Sequence, residues 1–374
     1  MKQLLLLVTS WLLSVACLAQ ENGIPISAGT ELTIQSSVLG EPINIQVYTP
    51  DTYTDSKQEY PALYILDGHR YFLNGVAIQK TIKNPRAIPE MIVVGITTDE
   101  SRYRWFGYEK KKFTSFLTNE LIPFIDTNYK TSNDRLIFGW EAGAFYSSEM
   151  LLQHQEIFNG AIIANGGYAP EDVVKDFSSD RPTYLYMANS RKDIYSIDSS
   201  EELHDILSEK NPEDLVWTYD LINEEIHESL TYMAMYKGLK FYYHNYNSLV
   251  FESVQQYIDM GGMEYLTSYF NERAERFGLD AAIDSSTKNA LIWLAWKRDN
   301  FEYFQRFMTE FEDVLSTRRY ASAYWQNRFG QFYLKHKDYP NAIKYFHAGL
   351  TNYPDSSFEE QMKEGLGKAK RMKD

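Results

Sequence analysis

Arg135-Leu136-Ile137-Phe138-Gly139-Trp140-Glu141-Ala142-Gly143-Ala144 is the stretch that decides how this chain folds. Arg135 to Phe138 reads as a short buried strand, and Phe145 to His154 reads as a helix. Between them lies the outline of the G-x-S-x-G elbow, a sharp turn that lifts one side chain above a sheet. Gly139 and Gly143 are expected where a side chain would clash with the neighbouring strand and helix. The central residue is Glu141 where the motif has serine. The turn is therefore expected to persist without its attacking hydroxyl.

Working outward, residues 31 to 49 alternate apolar and polar around Leu39-Gly40-Glu41-Pro42, which predicts a hairpin. Continuous apolar runs follow at Pro61 to Leu66, Met91 to Ile96, Ala161 to Ala164, Thr183 to Tyr186 and Leu215 to Leu221. Such runs suit strands covered on both faces. Helical patterns lie between them, as at Phe113, Phe116, Leu117, Leu121, Ile122 and Ile125. The alternation predicts an α/β fold, a doubly wound and mostly parallel sheet with the opening hairpin at its antiparallel edge.

After about residue 250 the strand signals stop. Ala323, Trp325, Phe329-Gly330, Phe332-Tyr333, Tyr339, Ala342, Phe346 and Pro354 fit the spacing of a tetratricopeptide repeat. An imperfect earlier copy runs from Ala290 through Trp293 and Trp296 to Phe307. The expected division is a signal segment at 1–19, the α/β domain at 20–250, a helical connector at 251–280 and a small all-α helical-hairpin domain at 281–374. Two hairpins are too few to bury a core alone, so this tail is expected to dock on the first domain or on a protein partner.

The chain has 374 residues and a net charge of −14, which argues against a nucleic-acid partner. Lys2, the apolar runs Leu4 to Val8 and Trp11 to Ala16, and Cys17-Leu18-Ala19 read as an export signal ending before Gln20. A periplasmic or secreted location follows. Cys17 is the only cysteine. It either leaves with the signal or anchors a lipoprotein, a reading weakened because Ser14-Val15-Ala16 lacks the usual leucine. No later stretch is apolar enough to span a membrane. Neither a cysteine metal site nor a cofactor is expected.

Acyl transfer needs a nucleophile, a histidine and an orienting acid, and in an α/β-hydrolase they come in the chain order nucleophile, acid, histidine. The histidine candidate is His227, just past the last predicted strand. The acid candidate is Asp193, in the turn after Thr183 to Met187, with Asp198 close by. Oxyanion donors are expected at the backbone N–H of Ala142 and in the Gly68-His69 loop. Glu141 would sit beside those donors and compete for them. Ser147 and Ser148 lie a turn further along, too deep to substitute. Arg102 or Arg104 is a possible partner for the Glu141 charge.

Tyr60 to Gly68, Ile88 to Ile96, Phe116 to Ile125, Ile226-His227-Glu228-Ser229 and Tyr236 to Phe241 together resemble the esterase family of the α/β-hydrolase superfamily. That group includes enterobactin-type siderophore esterases and feruloyl-type carbohydrate esterases. The resemblance covers most of residues 30 to 250 and implies an α/β-hydrolase fold, with His227 in the place of the catalytic histidine. The departures are specific. The family's elbow reads G-H-S-x-G-G, whereas Trp140, Glu141 and Ala144 stand here, and Ala164-Asn165-Gly166-Gly167-Tyr168 replaces an S-P-S-type segment. Two functional expectations follow. One is an exported, non-catalytic esterase homologue that binds a small ester-like ligand or a protein partner. The other is an active hydrolase of carboxylic esters with an atypical nucleophile, such as the Glu141 carboxylate.

Overall fold

The computed structural model describes residues 27–82 and 87–373. The expected export segment, with Cys17, lies outside them. Among the described residues no helix is long and apolar enough to cross a membrane.

Eight strands form one sheet in the order β1-β2-β4-β3-β5-β6-β7-β8. They are β1 Thr30–Gln35, β2 Pro42–Tyr48, β3 Tyr60–Leu66, β4 Ile92–Ile96, β5 Thr131–Trp140, β6 Gly160–Ala164, β7 Thr183–Asn189 and β8 Leu215–Leu221. β1 pairs antiparallel with β2, and β2 antiparallel with β4; the remaining strands are parallel. Each apolar run of the sequence is a strand. β4, β6 and β7 are buried along their whole length because helices cover both faces. The fold is of the α/β-hydrolase type, mostly parallel with a helical C-terminal region.

The helices that position the site are α1 (Gly68–Ile82), α2 (Lys110–Phe116), α3 (Ile122–Asn128), α4 (Ala142–Gln153), α5 (Glu171–Lys175), α6 (Ile197–Lys210) and α7 (Leu230–Tyr242). The chain runs from β3 through α1 to β4 on one side, then crosses to β5 on the other side of β3. That reversal of strand order opens a crevice at the carboxyl ends of β3 and β5, where open α/β sheets bind ligands.

At the elbow the two glycines differ. A Cβ on Gly139 would stand 2.1 Å from the Gly143 carbonyl oxygen and 2.5 Å from the Ser147 hydroxyl. On Gly143 it would meet nothing closer than 3.6 Å. The expected clash therefore holds for Gly139, where strand and helix touch backbone to backbone. It does not hold for Gly143, which lies within α4 and faces Leu66 and Asp67 at ordinary contact distance.

Contacts divide the chain into two compact units, and the second includes everything from Tyr243 onward. Its helices are α8 (Val254–Asp259), α9 (Gly262–Phe277), α10 (Ser285–Lys297), α11 (Phe301–Glu310), α12 (Glu312–Leu315), α13 (Ala323–Lys335), α14 (Tyr339–Asn352) and α15 (Glu359–Lys373). The hairpin helices α10, α11, α13 and α14 begin at Asp284, Asn300, Ser322 and Asp338, each accepting a hydrogen bond from a backbone N–H of the first turn. Gly330 permits close approach of α13 to α14, since a Cβ there would meet the Phe346 ring at 2.6 Å. One core joins Phe251, Tyr257 and Leu266 to Phe304, Phe307, Phe346 and Met362. Residues 251–280 thus share the core of the hairpins, and α15 adds to it.

Two outcomes follow. Gly139→Ala should cost at least about 3 kcal/mol or prevent folding, because backbone cannot give way to an inserted Cβ. Gly143→Ala should stay within about 1 kcal/mol of the parent, since a helical alanine recovers backbone entropy. Chemical denaturation measures both, and equal loss in the two variants would refute the steric distinction. Separately, a fragment of residues 281–374 should lack a cooperative melt by circular dichroism, because it discards Phe251, Tyr257 and Leu266 from its core. A sharp transition in that fragment would show that the hairpins suffice.

Candidate functional site

Three consecutive positions at the sheet's carboxyl edge carry positive φ: Asp67 at 55° after β3, Glu141 at 53° after β5 and Asn165 at 56° after β6. Asp and Asn tolerate this region, but a glutamate there is strained, at a cost of roughly 1–3 kcal/mol. Glu141 has ψ −119° and stands immediately before α4. The elbow conformation is thus retained around a residue other than serine.

Glu141 meets two cationic or basic groups. Its Oε1 lies 3.2 Å from His227 Nε2. Its Oε2 accepts a 2.9 Å hydrogen bond from Arg102 Nη1. Arg102, in the loop after β4, also donates from Nε to Asp67 Oδ2 at 2.9 Å and from Nη2 to the Trp140 carbonyl at 2.6 Å. Asp67 is fully buried, and the Thr98 hydroxyl donates to its other oxygen. Burial disfavours the Arg102 charge, but Asp67, followed by Glu141, outweighs it and pushes the guanidinium further toward its charged form. The guanidinium also lies 4.9 Å from the Trp140 ring centre.

On the far side, His227 Nδ1 lies 2.9 Å from Asp193 Oδ1. Asp193 is fully buried. Its Oδ2 accepts from Asn165 Nδ2 at 2.8 Å and from the Ser196 hydroxyl. Its Oδ1 accepts from the backbone N–H groups of Tyr195 and Ser196. Desolvation raises the Asp193 carboxyl, and these donors, Asn165 and Ser196 first, more than offset it, leaving it below the ordinary aspartate range. The Trp140 indole donates to the His227 carbonyl at 3.3 Å and its ring lies 5.1 Å from the imidazole.

Glu141, His227 and Asp193 thus converge from the ends of β5, β8 and β7. Asp198 is not among these contacts. Of the two arginines, Arg102 reaches Glu141, whereas Arg104 pairs with Glu41 and Glu109. The side chain of Glu141 is engaged by Arg102 and His227 rather than by the expected backbone donors. Ala142 is the first residue of α4, so its N–H has no partner within the helix. Gly68 and His69 open α1 and line a separate cavity with Gln46 and Phe72. Gly68 also has a steric role, since a Cβ would stand 2.6 Å from the β4 backbone. Ser147 and Ser148 are fully buried, and Ser148 is bound to the carbonyls of Ala144, Phe145 and Tyr168.

A cavity of about 390 Å³ opens beside Glu141, lined by Tyr103, Phe106, Gly107, Ala142 and Phe145. Its aromatic walls come from the loop after β4 and the start of α4. Sequence reasoning placed Asp67 only within the oxyanion loop and Asn165 only within a departing segment, and did not assign Thr98 or Ser196 to the site. The signal for Asp67 and Asn165 was their place directly after a buried strand. Among the described residues no cluster of His, Cys, Asp and Glu could hold a metal ion.

Residues 36–251 match the family described as "Putative esterase". The chain belongs to this esterase family. It is 23% identical over 146 residues to the uncharacterized protein YbbA of Bacillus subtilis, covering 34% of this chain and 58% of YbbA. The chain therefore spans just over half the length of that relative. An IroE-like serine hydrolase from Shewanella oneidensis has a similar fold, with TM-score 0.56 and 21% identity over 75% of this chain and 98% of the other. The siderophore hydrolase EstA from Aspergillus nidulans aligns with TM-score 0.51 and 17% identity, over 59% and 98%.

Arg102→Met should destabilise the esterase-type protein by about 3–5 kcal/mol, because it strands the buried Asp67 carboxylate. Asp67→Asn in the same chain should recover part of that loss, as a thermal melt would register. A melting temperature unchanged by Arg102→Met would rule out the guanidinium as the anchor. Asp193 gives a pH signature. Its carboxyl is lowered in the folded state, so its contribution is present above the ordinary value of 3.8 and is lost as pH falls through the folded value. The stability gap between parent and Asp193→Asn should be full at neutral pH and shrink below about pH 4. A gap that widens on acidification would contradict this assignment.

Proposed function

We propose that this protein is an exported, non-catalytic homologue of the esterases, whose site binds an ester-like ligand without turning it over. The observation that carries the reading is Glu141 at the elbow, with one carboxylate oxygen beside His227 and the other held by Arg102. A serine hydrolase needs a hydroxyl that histidine can deprotonate. A carboxylate has no such proton at neutral pH. Its charge also opposes the oxyanion that acyl transfer must develop next to the Ala142 N–H.

Membership of the esterase family and the siderophore hydrolase among the structural relatives support an ester of that kind as the ligand. The cavity beside Glu141, with three aromatic walls, supports an aryl-bearing group there. In the competing reading, a Glu141 oxygen attacks the ester carbonyl and expels the alcohol as an alkoxide that takes a proton from water, and the resulting mixed anhydride is hydrolysed by water activated by the His227–Asp193 pair. Against it, Arg102 binds one of the two Glu141 oxygens and restrains the carboxylate. Glutamate is also one methylene longer than the aspartate used at such elbows, and displacements of that size are costly.

The test is hydrolysis of an activated aryl ester by the mature protein. The wild type should not exceed the buffer rate, and Glu141→Ser should gain measurable turnover that is lost again in Glu141→Ser/His227→Ala. Wild-type turnover that disappears in both Glu141→Gln and His227→Ala would overturn the non-catalytic reading. Siderophore-type esters should raise the melting temperature of the wild type, because a ligand bound to the native state stabilises it.

A further inference from the structure

In the helical unit, α10 and α13 present a second cluster that the esterase-type site does not use. Trp293 and Trp296 stand one turn apart on α10, with ring centres 4.9 Å apart. Trp325 on α13 lies 5.6 Å from Trp293 and 6.4 Å from Trp296. All three indoles are only partly buried. Two cations lean on this aromatic surface. Lys297 Nζ lies 5.2 Å from the Trp293 centre and 5.6 Å from that of Trp296. The Arg328 guanidinium lies 4.6 Å from Trp296 and 5.4 Å from Tyr324, which is itself exposed.

The chemistry of this patch is one-sided. An indole N–H donates and does not accept, and the same holds for an ammonium and a guanidinium. None of the three indole N–H groups is sealed from solvent or hydrogen-bonded among the described residues. Arg328 Nε is buried without an acceptor. Neither Lys297 nor Arg328 has a carboxylate partner among the described residues, whereas the neighbouring cations Lys288 and Lys335 pair with Asp313 and Asp299. Asp299, two residues after Lys297, is engaged by Lys335 and His336. The patch therefore offers donors, positive charge and aromatic area, and its indoles and cations supply no acceptor. It does so on a chain whose net charge is −14.

We infer that this face of α10 and α13 docks a protein segment in which carboxylate side chains alternate with apolar ones. The carboxylates accept from Arg328, Lys297 and the indoles, and the apolar side chains cover the tryptophan rings. Tryptophan and arginine are the residue types that dominate binding energy at interfaces. The excess of negative charge elsewhere on the chain repels the same segment, so charge selects this face and sets the approach. The inference is independent of what the esterase-type site binds.

The probe is a pair of peptides of about eight residues with the same leucine and phenylalanine positions, interleaved with glutamate in one and lysine in the other. They are titrated into the full-length protein with tryptophan fluorescence as the readout. The glutamate peptide should change the emission saturably, with affinity that falls about tenfold or more between ~50 and ~500 mM salt. The lysine peptide should not bind. Lys297→Gln/Arg328→Gln should weaken the glutamate peptide by about tenfold or more while the melting temperature stays that of the parent, which separates lost docking from lost folding. Equal binding of both peptides, binding unchanged in the double variant, or no saturation by about 1 mM peptide would overturn the proposal. So would concentration-dependent self-association that the double variant abolishes, since the occupant would then be a second copy of this chain.

Discussion

The Arg102 guanidinium is the fixed point of the site. It is almost wholly buried, and it spends its donors on the Asp67 carboxylate, the Glu141 carboxylate and the Trp140 carbonyl. A cation can be buried at this depth only where its partners make up for lost hydration. Asp67 supplies that compensation from the end of β3, and Thr98 satisfies its remaining oxygen. Glu141 is the variable member of the set, partly exposed, reaching from the elbow to join Arg102 on one side and His227 on the other. The loops after β3, β4, β5 and β8 are tied together through these contacts.

Such a network favours one geometry and resists change. Breaking any pair leaves a charge in a poorly hydrated place, so the members stay together. The His227–Asp193 pair is held in place by four further donors on the buried aspartate. Asn165, in the segment that reads as a departure in the sequence, is one of those donors. The substitution that looks like a departure in the sequence is, in the fold, a support for the acid.

The elbow accommodates a glutamate at its centre for a local reason. What the turn requires is the missing side chain at Gly139, where β5 and α4 meet at backbone contact. The residue at position 141 points out of the turn, and its identity has little effect on that packing. Its positive φ is a cost carried by glutamate as it would be by serine. The packing of the turn therefore rests on Gly139, while position 141 presents its side chain to the site.

The sequence by itself determined the sheet. Every buried parallel strand appeared as an apolar run, because a strand covered on both faces must be apolar along its length. It also placed Glu141, His227 and Asp193 in the order and at the strand ends that such a sheet brings together, since the carboxyl ends of parallel strands share one edge. The hairpin helices of the C-terminal unit were legible from aromatic spacing, whereas their caps at Asp284, Asn300, Ser322 and Asp338 came from the structure. Only the tertiary structure decided which arginine meets Glu141, because Arg102 and Arg104 lie two residues apart in a run of short helical turns and no periodicity distinguishes them. It alone showed that Asp67 and Thr98 anchor Arg102 and that Asn165 and Ser196 support Asp193, since most of these hydrogen bonds join segments far apart in the chain. It separated Gly139 from Gly143, a matter of which backbone stands opposite a Cβ. It also united residues 251–280 with the hairpins in one core, because packing across many helices leaves no local mark in the sequence.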